Sequence, residues 1–298
     1  MTLTRQFAAE FAASRIALVG LALLSLVLLA ALLAPWISPQ DPFNMAALNL
    51  NEAFAPPAWD EKGLGQYPLG TDNQGRDILS TIMHGARISL GVGLAAVVFS
   101  LALGVSLGLI AGYVGGRFDA LIMRIADVQL SFPAILIALL IDGVARVVLP
   151  GDRHDELAIP VLVLAIGFAG WVQYARTVRG STMVEKEKEY VQAARVIGRS
   201  PLAIMLAHVL PNVMGPVLVI ATIHIATAII TEATLSFLGV GVPATRPSLG
   251  TLIRIGNEFL YSGEWWITVF PGLALVTLVL SVNLLGDWLR DALNPKLR

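Results

Sequence analysis

Apolar residues dominate six windows of this chain, and stretches rich in Gly, Pro, Asn and charge separate them. Residues 16–34 form one uninterrupted apolar run, and further runs occupy 88–110, 157–174, 213–230 and 267–285. About 20 consecutive apolar residues cross the hydrocarbon core of a bilayer as a helix, so each run predicts one span. The first exceeds the apolar core of a secretory leader, and Pro35 follows it with no small-x-small site, so it reads as a retained span. The window 120–141 predicts a third span but carries Arg124, Asp127 and Gln129. Ionisable groups at that depth face a bundle interior or a cavity. Arg124 and Asp127, three residues apart, are placed to pair on one helix face. The alternative is that the first turns of this window protrude into the interface.

The polar segments order the rest. Residues 35–87 are broken by Pro, Asn, Asp and Gly and do not cross. Residues 111–119 form a short loop, 142–156 a polar loop holding a solvated His154, and 176–208 a long polar connection. In the second span, Gly104 and Gly108 form a small-xxx-small pair suited to close helix contact. Two units follow: 1–66, with the first span and a loop, and 67–298, a core of five spans.

The long connection contains EYVQAARVIGRSPLAIMLAHVLPN, residues 189–212. Tyr190, Ala193, Ala194 and Ile197 recur at helical spacing, and the two alanines predict a flat face that another surface can approach. Gly198 sits where a helix C-cap takes positive φ. Ser200 is a good N-cap, Pro201 suits the first helical position, and Pro211 is expected to end the second short helix. The run 185–189 (EKEKE) reads as a solvated helix start.

Composition narrows the function classes. The chain is 56% hydrophobic and 14% charged, well below the charge of soluble domains. A net charge of −1 argues against a nucleic-acid binder held by bulk electrostatics. There are no cysteines, hence no thiolate metal site or Cys nucleophile, and no GxxxxGK[ST] phosphate loop. The histidines, at 84, 154, 208 and 224, are scattered, with only His224 inside a span, and none has a second His at metal-ligand spacing. No catalytic residue and no metal site is read. An ion-driven secondary transporter predicts inverted repeats and paired intramembrane charges, and no internal repeat is seen. A helix-turn-helix reading of 189–211 fits the turn chemistry, but its second helix is nearly all apolar.

The order of Gln192, Ala193, Ala194, Gly198, Leu210 and Pro211 resembles the E-A-A, three residues, Gly, nine residues, I-x-L-P loop of ABC-transporter permeases. Gln192 stands where that pattern has Glu, and His208 where it has Ile; Glu189 lies one turn earlier. The string L-G-T-D-x-x-G-R-D, with Gly70, Thr71, Asp72, Gly75, Arg76 and Asp77, resembles the extracytoplasmic lead-in to the second span of the peptide-type branch. In it the glycines allow tight turns, while Asp72, Arg76 and Asp77 are placed to pair locally in a solvated loop capped onto the helix. FLGVGVPATRPSLG, residues 237–250, is similar to the loop after the fifth span, with Leu249 where Trp is common. The closing NLLGDWLRDALNPKLR matches the branch almost throughout.

The resemblance implies an all-α integral membrane protein of type I ABC importer permease fold, with six spans and a cytoplasmic helix–turn–helix coupling loop within 176–211. It implies a non-enzymatic subunit of the dipeptide/oligopeptide/nickel importer family. Implied partners are a second related permease, two cytoplasmic ATPase subunits that hold ATP and magnesium, an extracytoplasmic substrate-binding protein and the lipid bilayer. Glu189, Gln192, Ala193, Ala194, Gly198, Pro201, Leu210 and Pro211 would form the coupling element. Arg124, Asp127, His224 and Glu232 are candidates for the pathway or for contacts between helices. Independently, Arg176, Arg179, Lys186, Lys188, Arg195 and Arg199 crowd the connection containing the hairpin, while the segments on the other side are net acidic. The positive-inside rule therefore places that connection and both termini in the cytoplasm of an inner-membrane protein.

Overall fold

The computed structural model describes residues 9–44 and 48–292. Residues 293–298, which the tail motif uses, lie outside the described residues. The described part is all-helical. Its helices are α1 (Arg15–Ile37), α2 (Ile78–Val114), α3 (Gly116–Leu130), α4 (Ala134–Val148), α5 (His154–Glu185), α6 (Glu189–Val196), α7 (Pro201–Phe237), α8 (Leu249–Asn257) and α9 (Trp266–Ala292). Among the described residues five helices are long and apolar enough to cross a membrane, or six if α3 and α4 are one broken span.

Four expectations about where helices run and end need correction. The window 120–141 is not one continuous helix: α3 and α4 meet at 94° across Ser131, Phe132 and Pro133. Pro133 disfavours helical backbone at Phe132 and cannot continue the hydrogen-bond ladder. Residues 142–156 are not a loop: α4 runs on to Val148, and His154 opens α5 with Nε2 2.9 Å from the Leu149 carbonyl. The connection after the fourth span starts late, because α5 stays helical through Glu185. Pro211 does not end a short helix but lies inside α7. A single π turn over Met205–Val209 precedes it. The wider turn displaces the carbonyls that a proline ring would otherwise strike.

The centre of the bundle is the contact of α2 with α5. Gly104, Gly108 and Gly112 lie along it, where an added Cβ would stand 2.4 Å from the Trp171 carbonyl, 2.4 Å from that of Ala175 and 2.7 Å from that of Arg179. The small-xxx-small pair thus extends by one more glycine. Backbones that approach this closely gain dispersion contacts, the main attraction between helices where lipid is as apolar as the side chains. The helix α7 closes the core, with Val209, Val213 and Val217 against Val105, Leu109, Tyr174 and Val178. The helices α1 and α9 flank it through Ala31, Leu278 and Val282.

Residues 48–77 fold onto the start of α2 and α9. Far from being a solvated loop, Thr71, Asp72, Arg76 and Asp77 are all at most 2% exposed. Asp72 accepts from Arg76 Nε at 2.6 Å and from the backbone N–H groups of Gln74 and Arg76. Asp77 caps α2, its Oδ2 accepting from the Ser80 N–H at 2.7 Å. Burial pushes the Asp77 carboxyl upward, and the Ser80 hydrogen bonds oppose that. The Trp266 indole donates to the Thr71 carbonyl at 3.0 Å, tying this cap to α9. Gly70 adopts φ +82° with the Ala55 carbonyl 2.5 Å from where its Cβ would be, so only glycine fits. Removing one partner of a buried ion pair leaves an uncompensated charge, at about 3–5 kcal/mol. Arg76→Ala is accordingly expected to lower the melting temperature of the purified protein by several degrees, and an unchanged Tm would remove the pair from the fold's supports.

Candidate functional site

The hairpin at 186–211 is built from local chemistry. At the end of α5 the chain turns through Lys186, Glu187 and Lys188. The Gln192 side-chain amide donates back to the Lys186 carbonyl at 3.1 Å and lies 3.3 Å from a Glu187 carboxylate oxygen. Gln192 therefore staples the turn before α6. Glu189 does not take over the carboxylate missing at 192: it is exposed, and no hydrogen bond or ion pair joins its side chain to another described residue. The acid used is Glu185, at the end of α5, which accepts from the Tyr190 hydroxyl and from Lys188 Nζ at 2.8 Å. Within the run 185–189, Glu187, Lys188 and Glu189 are exposed and lead into α6 as expected, whereas Glu185 is the buried end of α5. Asn212 Nδ2 donates to the Tyr190 hydroxyl at 3.1 Å and to the His208 carbonyl at 2.7 Å, clasping α6 against α7. Burial and the Glu185 hydrogen bond push the Tyr190 hydroxyl up to about 12, so it stays a donor throughout physiological pH.

At the tip, Gly198 has φ +84°, the Arg199 N–H donates to the Ala194 carbonyl at 3.1 Å, and the Gly198 N–H to that of Arg195 at 3.0 Å. This is a Schellman-type stop, which only a residue tolerant of the left-handed region makes without strain. Ser200 Oγ accepts from the Ala203 N–H at 3.3 Å, and Pro201 occupies the first turn of α7.

The two faces of α6 differ from the sequence expectation. Val191 and Ala194 point inward, joining Ile204, Val209, Tyr174 and Val178 in one cluster. Ala193 points outward, so the two alanines do not share an approach face. The open surface is the tip: Val196 is 88% exposed, Ile197 81% and Leu202 61%. Leu210 is half-buried against the cluster and Pro211 exposed. The hairpin is an apolar knuckle on a rigid seat. The seat is fixed to the bundle by Lys186 Nζ, 2.9 Å from the Gly112 carbonyl, and by the Arg195 guanidinium, 5.3 Å from the centre of the Tyr113 ring.

The other candidates fall in different places. Asp127 pairs with Arg176 of α5 at 2.6 Å rather than with Arg124, which is exposed and has no partner among the described residues. Arg179 holds both carboxylate oxygens of Asp119, one of them at 2.7 Å, so two ion pairs fasten α3 to α5. Neither pair was legible in the sequence, since the partners are 49 and 60 residues apart. Glu232 is fully buried, accepting from Ser89 of α2 and Ser236 of α7, each at 2.7 Å. Ser89 also accepts from the Leu249 N–H at 3.3 Å, so Glu232 links three helices. His224 is buried with Nδ1 3.0 Å from the Tyr174 hydroxyl. It borders a cavity of about 280 Å³ between α4, α5 and α7, with Gln173, Thr227 and Thr231 on its wall. Residues 224, 227 and 231 share one helix face, a spacing visible in the sequence; that Gln173 joins them was not.

The described residues thus form a multi-pass helical bundle with an apolar knuckle at one end. Residues 104–298 match the family described as the binding-protein-dependent transport system inner membrane component, and residues 2–57 match the N-terminal TM domain of oligopeptide transport permease C. The chain belongs to this family of permease subunits and is a multi-pass inner-membrane protein. It is 40% identical over 294 residues to the di/tripeptide transport system permease protein DppC of Pseudomonas aeruginosa, covering 99% of this chain and 92% of that protein. It is 41% identical over 298 residues to the dipeptide transport system permease protein DppC of Escherichia coli K12, covering 100% and 95%. The oligopeptide transport system permease protein OppC of Bacillus subtilis is 39% identical, with 97% and 88% covered. In fold the chain is similar to a chain of the inward-facing MetNI methionine ABC transporter, with TM-score 0.55 and 21% identity over 72% of this chain and 96% of that one.

Proposed function

We propose that this chain is one of two related permease subunits of an ATP-driven importer of short peptides. In this reading the 189–211 hairpin docks into cytoplasmic ATPase subunits, which hold the ATP and magnesium, and an extracytoplasmic binding protein delivers the cargo. The relatives' names support the peptide class, and the charge distribution supports cytoplasmic termini. The observation that carries the coupling role is the knuckle: Val196, Ile197 and Leu202 stand in the open on a seat continuous with α5 and α7. Isolated apolar side chains exposed at a rigid tip fit a cleft in a partner. A push on them reaches the spans because Val191, Ala194 and Ile204 interlock with Tyr174, Val178 and Val213. Coupling then requires only that the hairpin contact its partner differently in the two transport states. The Gln173, His224, Thr227 and Thr231 wall would face the pathway, offering hydrogen bonds to a peptide backbone.

The chain has no cysteine, so single-cysteine labelling has no background. Val196→Cys is expected to react with a membrane-impermeant maleimide in inverted vesicles but not in intact spheroplasts, and to cross-link to an ATPase subunit. Reaction from the outer surface would overturn the reading.

A further inference from the structure

On the side of α7 opposite the polar wall lies a second cavity, an open groove of about 590 Å³ between α1, α2, α7 and α9. Its lining is apolar, with Leu24, Leu28, Leu94 and Val282 among it, apart from Thr222 and Arg87. The Thr222 hydroxyl is satisfied within its own helix, donating to the Val219 carbonyl at 2.8 Å. Arg87 is not satisfied: it is exposed, and no hydrogen bond or ion pair joins it to any described residue. The groove exists partly because Gly91 contributes no side chain; a Cβ there would meet nothing within 4 Å.

We propose that this groove holds one acyl chain of a phospholipid whose phosphate is bound by Arg87. An arginine on a membrane helix needs an anion, and in a bilayer the available anion is a lipid phosphate, which a guanidinium binds through two parallel hydrogen bonds. Arg87 lies in the part of α2 nearest the 48–77 cap, so its long side chain can rise along the apolar wall to the headgroup level of that leaflet. A second permease is the rival occupant. Thr222 and Ile225 line the groove while His224, Thr227 and Thr231 line the polar cavity, and helical rotation sets these on opposite sides of α7. A subunit that closes a pathway along the polar wall therefore leaves the groove to lipid. This last step rests on the proposed pathway face; the unpartnered arginine does not.

The test uses the assembled transporter in nanodiscs of phosphatidylethanolamine and phosphatidylglycerol. With a photo-reactive p-benzoylphenylalanine at Leu94, illumination should give an adduct of phospholipid mass. Native mass spectrometry of the wild type should show a retained phospholipid that Arg87→Gln and the groove-filling Gly91→Leu each lose and Arg87→Lys partly keeps. A Leu94 adduct with the second permease, or equal lipid retention in Arg87→Gln and wild type, would overturn the proposal. Neither readout depends on transport, so failure here is distinguishable from failure of the coupling role, which the Val196 labelling reads.

Discussion

Ile197→Asp is expected to abolish peptide uptake and substrate-stimulated ATP hydrolysis while leaving the permease folded. The side chain is 81% exposed, so its replacement costs the fold little, within about 0.5 kcal/mol. Under the proposed docking role its effect falls on the partner. A carboxylate driven into an apolar cleft loses its water and gains no counter-charge, and truncating a central interface anchor alone costs about 2 kcal/mol. That is roughly thirtyfold in docking affinity. The measurement is uptake and ATPase activity in proteoliposomes at matched permease content, with Ile197→Leu as the control that should retain both. Full coupling in the Asp variant would show that the tip is not the contact. Ala194→Arg is a poorer probe: Ala194 is buried under α6, so a guanidinium there would lift the hairpin from its seat and lose function for a structural reason.

Gly108→Leu should prevent the bundle from forming. The added Cβ would lie 2.4 Å from the Ala175 carbonyl oxygen and 2.9 Å from its Cα, both backbone atoms, so no flexible side chain can swing aside. The two longest-packed helices must then separate, opening the contacts of Gly104 with Trp171 and of Gly112 with Arg179 as well. Overpacking a tight core costs about 1–3 kcal/mol where neighbours can adjust, and here they cannot. Most of the protein should be lost to degradation or elute as aggregate after detergent extraction. Gly180→Leu is the matched control, because a Cβ at Gly180 meets nothing within 4 Å. If both variants extract as single dispersed species with equal Tm, the glycine stripe is not what holds α2 to α5.

Much of the hairpin was legible because its signals are short-range. Gly198 and Ser200–Pro201 specify a stop and a restart whatever surrounds them, and both occur as expected. Gln192 was legible as a departure from a pattern but not as the staple of the 186–188 turn, which depends on a carbonyl that only the folded turn presents. The same limit applies to Ala193 and Ala194. Helical spacing places residues on faces, but which face turns inward depends on where Tyr174 and Val178 lie.

The amino-acid sequence alone determined the membrane location, the positions of the apolar spans, the capped break at 198–201 and the family, because hydropathy, capping and motif spacing are properties of contiguous residues. Tertiary structure decided the rest. It set the right-angled break in the window 120–141, the continuity of α7 through Pro211, the pairing of Asp127 with Arg176, the burial of Glu232 among serines and the inward turn of Ala194. The reason is that each of these rests on groups brought together from distant helices or on how much distortion packing can compensate. A π turn before a proline is stable only when the neighbouring helices hold the chain on its course, and a carboxylate stays buried only where hydroxyls from other elements arrive to meet it.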